Sequence, residues 1–179
     1  MTTGLDDGVA NVDCTLDTCL EYLAPAGTRW AYHNAPYTLL TSVIEQASAR
    51  PVNTYLQQKI KNLTGIRGLY FPIGYNNVYF SNARSFARFG LLTLAQGHWN
   101  GTPFLSDTTY FRQMTTPSQS INQAYGYLWW LNGQPSYRLP RSQFTFPGSM
   151  VPAGPADCIM AIGKNGQVVC VVPSQNLVW

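Results

Sequence analysis

Three features of the sequence predict an α+β fold. Apolar residues recur at helical spacing between Pro36 and Met114. From Cys158 to Trp179 short apolar runs alternate with Gly/Asn and Pro/Asn turns, the pattern of an antiparallel meander. Helices occupy the middle and the meander closes the chain, so helices and strands are segregated rather than interleaved, and no internal repeat is visible. With 179 residues the chain reads as one domain, helical over about residues 1–120 and sheet-forming over about 125–179.

The elements follow in order. Residues 1–13 are polar and Gly-containing and read as a loop. Cys19, Leu20, Tyr22 and Leu23 give an apolar patch before Pro25-Ala26-Gly27, where Gly27 permits a sharp turn. Trp30 and Tyr32 then alternate along a short extended segment. Pro36 begins a helix, since its missing N–H costs nothing in the first turn; Leu39, Leu40, Val43, Ile44 and Ala47 follow its period. Pro51 opens a second helix with Val52, Tyr55, Leu56 and Ile60 on one face. Residues 62–74 read as a connection containing Gly65, Gly68 and Pro72, and 75–80 as a short aromatic stretch.

Ser81 reads as the N-cap of the most amphipathic helix, with Ala83, Phe86, Ala87, Gly90, Leu91 and Leu94 in its stripe and Gly97 ending it. Ser106 caps a further helix through Met114, and Pro117 stops it. Residues 125–131 are rich in β-formers, and Asn132-Gly133 after them predicts a hairpin turn. Five prolines make residues 134–157 mostly irregular. Strands over 158–162 and 167–172, and a third starting at Leu177, are separated by turns at Gly163–Gly166 and Pro173–Asn176.

Composition excludes several function classes. Charged residues are only 11%, and the net charge of +3 is spread without a Lys/Arg run, so nucleic acid is not an expected partner. No apolar run reaches the length of a membrane span, and residues 1–7 lack the basic and apolar regions of a signal peptide. The eleven Tyr, five Trp and eight Phe suit an aromatic-lined groove or, more simply, an aromatic-rich core. The four Cys lack the paired spacing of a zinc site, so no metal is expected. Cys14 and Cys19 are close enough in sequence for a local disulfide, which would imply an oxidising compartment; Cys158 and Cys170 read as small buried hydrophobes.

The stretch with most chemistry is 27–40. It holds Tyr32 and Asn34 on a short loop just ahead of a rigid helix, and loops braced by a scaffold carry function. His33 lies between them, points the other way along an extended segment, and reads as structural. His98 reads as a solvated turn residue, and without a third partner the two His make no Ser-His-Asp triad. Trp129 and Trp130 alternate, so one is expected in the core and the other, Trp130, on a cleft wall contacting substrate. Arg29, Arg84 and Arg88 are candidates for a substrate carboxylate but are more simply surface or ion-pair residues, as Asp157 is more simply a turn residue.

Five blocks in order resemble the serine β-lactamase-like hydrolases. They are Met-Thr-Thr-Gly-Leu at 1–5, Pro-Ala-Gly-Thr-Arg-Trp-Ala-Tyr-His-Asn at 25–34, Ala-Arg-Ser-Phe-Ala-Arg-Phe-Gly-Leu-Leu at 83–92, Tyr-Gly-Tyr-Leu-Trp-Trp at 125–130 and Gly-Lys-Asn-Gly-Gln at 163–167. That family includes class C β-lactamases, esterases, penicillin-binding proteins and 6-aminohexanoate-dimer hydrolases. The resemblance implies acyl transfer through a covalent serine ester, with no cofactor, on a small ester, amide or β-lactam-like substrate. It implies that Tyr32 is the acid/base, that Asn34 orients a Lys or the substrate, and that Gly163–Gln167 is the third box. In that box the Lys164 backbone N–H would contribute to the oxyanion hole and Gly163 would let substrate approach. Read without the resemblance, Gly163–Gly166 is a plain hairpin turn with an exposed Lys.

The family's Ser-x-x-Lys box is not found. The three Lys are Lys59, Lys61 and Lys164, and the residues three before them are Leu56, Gln58 and Ala161. In the family the box precedes the Met-Thr-Thr-Gly-Leu block and the last strand continues into a helix. The chain is therefore expected to be part of a larger hydrolase domain, incomplete at both ends and inactive alone. A non-catalytic binding or assembly module is the alternative. Oligomeric state is not legible, and export is an expectation from the resemblance.

Overall fold

A computed structural model describes residues 1–179. The chain divides into two compact units: Met1–Asn82 with Leu139–Gln143, and Ala83–Arg138 with Phe144–Trp179.

In the first unit the opening residues run against the segment before the first helix. The Ala31 N–H donates to Met1 O (2.9 Å), Gly27 N–H to Thr2 O (2.8 Å) and Leu23 N–H to Gly4 O (2.9 Å). Gly4 is required there: its φ is +82° and a Cβ would lie 2.0 Å from Ala24 O. Cys14 and Cys19 are joined, Cα–Cα 5.9 Å, and a 3₁₀ turn spans Asp17–Cys19. Helix α1 is Asn34–Ser48, so it starts two residues before Pro36, which sits in the first turn as its chemistry allows. Helix α2 (Val52–Leu56) follows Pro51 and passes through a π turn (Gln57–Lys61) into α3 (Asn62–Thr64).

The apolar stripe expected to bury α1 lies at the surface instead: Leu40, Val43 and Ile44 are exposed, and Ala35 is the helix residue that is buried. Strand β1 (Leu69–Ile73) occupies what reads in sequence as a connection, and pairs antiparallel with β2 (Asn76–Phe80). Pro72 is tolerated within β1 because this ribbon has only two strands, and Pro72 faces Asn77 beside an open edge.

In the second unit α4 (Ala83–Leu94) packs on a four-stranded antiparallel sheet. Ser81 is not spent on a cap; its hydroxyl donates to the Arg67 carbonyl within the first unit. The buried stripe of α4 is also rotated from the expected one: Ser85, Gly90, Leu92 and Thr93 are buried and Leu91 is exposed. Small residues let the helix approach the sheet, and Thr93 satisfies its hydroxyl on Phe89 O (3.0 Å). A Cβ on Gly90 would meet Val178 Cγ1 at 2.4 Å and Val169 Cγ1 at 3.1 Å. The helix ends as expected, with Gly97 at φ +80° donating to Leu92 O (2.9 Å).

A small ribbon, β3 (His98–Trp99) with β4 (Thr102–Pro103), leads to α5 (Thr108–Met114). The cap of α5 is Asp107, one residue beyond Ser106, and its Oδ1 accepts from Tyr110 N–H (2.9 Å). The sheet order is β10 (Leu177–Val178), β9 (Val168–Val172), β8 (Ile159–Ile162), β5 (Trp130–Leu131), so the predicted closing meander is present.

Asn132-Gly133 does not make a hairpin. β5 pairs with β8, and β6 (Ser136–Tyr137) pairs with β7 (Phe146–Pro147) in a separate ribbon inside the irregular stretch. The reason is the Asn132 side chain, buried at 2%, which organises the loop before β8. Its Nδ2 donates to Val151 O (3.0 Å), Gly154 O (3.3 Å) and Pro155 O (3.0 Å), and its Oδ1 accepts from Val151 N–H (2.9 Å). Cys158 and Cys170 are buried as expected but are not free thiols. Their Cα atoms are 6.5 Å apart, Cys158 just before β8 and Cys170 in the adjacent antiparallel β9, and the sulfurs are joined, leaving no free cysteine. No helix is long and apolar enough to cross a membrane.

Candidate active site

Tyr32 sits in the extended segment that ends at His33, the N-cap of α1. Its half-buried ring is edge-on to two others, Trp30 at 6.4 Å and 61°, and Tyr37 at 6.3 Å and 63°. Trp30 is fully buried and anchors the segment; its carbonyl accepts from Gln143 Nε2 (3.1 Å). Asn34 is the first residue of α1 rather than a loop residue ahead of it, and its Nδ2 donates to Asp13 Oδ1. Tyr37, one helical turn further on, has its phenol pushed up to about 12 by burial, reinforced by neighbouring Tyr32 and Asp13. It therefore stays protonated over the neutral range.

His33 is 1% exposed and structural, as expected. Its Nδ1 accepts from Ala35 N–H (3.3 Å), which leaves the proton of the neutral ring on Nε2. Burial lowers its pKa from the usual 6.5, while Asp7, Asp6 and Asp13 pull the other way. Below that usual value the unfolded chain binds a proton that folded His33 resists, so stability falls as pH drops through this window. His33→Asn keeps a cap acceptor and removes the titration. Urea midpoints measured across the window are expected to fall less steeply with pH in the variant; identical slopes would exclude His33 as a source.

The remaining candidates belong to the second unit. Gly163 and Lys164 are exposed in the hairpin between β8 and β9, where Gly163 N–H donates to Gln167 O (2.8 Å) and Asn165 and Gly166 take φ of +69° and +87°. Gly163 has no positive φ, so its use of glycine is not conformational. The Trp130 expectation is corrected: Trp129 and Trp130 are both buried, at 4% and 5%. Each has its own aromatic cover, Trp129 stacked on Phe89 (5.8 Å) and Trp130 edge-on to Tyr125 (4.8 Å), so neither side is left as a wall.

Arg29 is an ion-pair residue, bonded to Asp7, and Asp157 accepts from Ser174 N–H (2.6 Å) and Oγ (2.9 Å), a loop-closing role. Sequence reasoning missed Asp13 and Tyr37. Tyr37 carried a signal, a second phenol a turn into the helix; Asp13, far away in sequence, carried none.

The Beta-lactamase family model matches residues 2–179. The chain belongs to the beta-lactamase family. Its fold is that of this family in solved structures. A Bacillus anthracis protein assigned as a 6-aminohexanoate-dimer hydrolase superposes with TM-score 0.69 at 18% identity, over 90% of this chain and 40% of that one. A Bacteroides dorei protein assigned as a beta-lactamase superposes with TM-score 0.69 at 14% identity, over 99% of this chain and 59% of that one. The chain thus spans about half the length of these two beta-lactamase-like structures. No curated protein matches it.

Proposed function

We propose that this chain supplies the Tyr-x-Asn half of a serine hydrolase site that works through an acyl-enzyme. The observation that carries the reading is the Tyr32–Asn34 arrangement, a half-buried phenol and a pinned amide at the start of α1. As its phenolate, favoured beside the ammonium of the Ser-x-x-Lys box, Tyr32 accepts the proton of a serine hydroxyl as that oxygen attacks an ester, amide or β-lactam carbonyl, and the phenol so formed returns it to the leaving group. Asn34 offers its amide to the activating ammonium or to substrate. Water then hydrolyses the serine ester.

This reading requires a Ser-x-x-Lys segment for the nucleophile and its Lys, and no Lys of residues 1–179 has a Ser three residues before it. Two disulfides support an oxidising compartment. The chain alone is expected to give no product burst with a p-nitrophenyl ester. The complete hydrolase, this chain together with a Ser-x-x-Lys segment, is expected to give a burst and a mass gain on one serine. A burst and acylated serine from residues 1–179 alone would sink the reading. The alternative is a non-catalytic binding or assembly module, which loss of the Ser or Lys from the complete protein would favour.

A further inference from the structure

We propose that Asp13 is a positioning residue for this site, fixing which end of the Asn34 amide is presented to substrate or to an ammonium group. The proposal rests on the hydrolase reading of Tyr32 and Asn34. An ionised carboxylate has acceptors only. Asn34 donates Nδ2 to Asp13 Oδ1. Rotating the amide by half a turn would set its Oδ1 against the carboxylate, acceptor against acceptor, and strand the amide protons. The amide is therefore locked with NH₂ toward Asp13, and its Oδ1, which accepts no hydrogen bond within the chain, is left for a donor. An ammonium group or a substrate N–H fits that oxygen; a second carbonyl or an anion does not.

Asp13 is itself held. Its N–H donates to Asn11 Oδ1 (3.0 Å), and the preceding Val12 O accepts from Ala35 N–H (3.1 Å), which ties the loop to the first turn of α1. The following Cys14 is 2% exposed and bonded to Cys19, so the ring of the disulfide braces the loop from its other side. The same carboxylate contributes to holding the Tyr37 phenol protonated beside Tyr32. One acidic side chain on a short cross-linked loop thus faces both the amide and the second phenol of the site.

The test reads the Asn34 side-chain amide by NMR in ¹⁵N-labelled chain, with Asn34→Ala identifying its resonances. Two distinct protons exchanging at least about tenfold more slowly than exposed Asn amides are expected. Asp13→Ala should abolish that protection, and Asp13→Asn, which keeps an oxygen acceptor, should retain it. Fast exchange in the unmodified chain overturns the proposal even if Asp13→Ala fails to fold; unchanged protection in a folded Asp13→Ala does the same. In the complete hydrolase Asp13→Ala should lower kcat/KM by roughly 10- to 100-fold. It should add no further loss once Asn34→Ala is present, whereas additive losses would mark Asp13 as merely structural and overturn the proposal. A complete protein without hydrolytic activity would count against the hydrolase reading, and the amide exchange would still decide the role of Asp13.

Discussion

Tyr32→Phe is expected to lower kcat of the complete hydrolase by about 10²- to 10⁴-fold, the range for loss of a positioned acid/base. The substitution keeps the ring, and with it the edge-on packing against Trp30 and Tyr37. Tyr37→Phe is the matched control. A phenol held at about 12 is a poor base near neutrality, so its removal should change kcat by less than about tenfold. Steady-state hydrolysis of a p-nitrophenyl ester by the two variants, with circular dichroism to verify folding, separates the roles. Equal and small effects would exclude Tyr32 as the acid/base.

Asn132→Ala is expected to destabilise the second unit by about 3 kcal/mol, because a buried hub would leave several partners without one. The side chain serves three carbonyls and the Val151 N–H, all in the loop that delivers β8. Asn132→Asp should not rescue the loss: it keeps the acceptor for Val151 but turns a carboxylate oxygen toward three carbonyls. Urea unfolding gives the comparison, and a change below about 0.5 kcal/mol in Asn132→Ala would show that the loop is held by other means.

The same residue marks the limit of reading a turn from its dipeptide. Asn-Gly has the local preference for a hairpin, yet Asn132 was more useful as a buried hydrogen-bonding hub, and no sequence window of that size contains its partners at 151–155. Asp13 is the analogous case at the candidate site. It meets Asn34 across 21 positions, through a hydrogen bond that spacing cannot announce. Trp130 failed as a groove residue for a related reason. Alternation tells which side chains point apart, and it cannot tell whether each side is already covered, here by Phe89 and Tyr125.

Local chemistry was legible wherever it was self-contained. The closing meander, the Gly97 helix stop, the Pro36 first turn and the seat of Tyr32 at a helix start all follow from residues within one or two turns of each other. The motif blocks also identified the family, since they are read in order along the chain. Tertiary structure alone decided the pairing of Cys158 with Cys170, the surface position of the α1 stripe, the hub at Asn132 and the Asp13–Asn34 bond. The physical reason is common to these: each depends on which remote group comes to rest against a side chain, and burial and hydrogen-bond satisfaction are properties of the packed surroundings rather than of the residue.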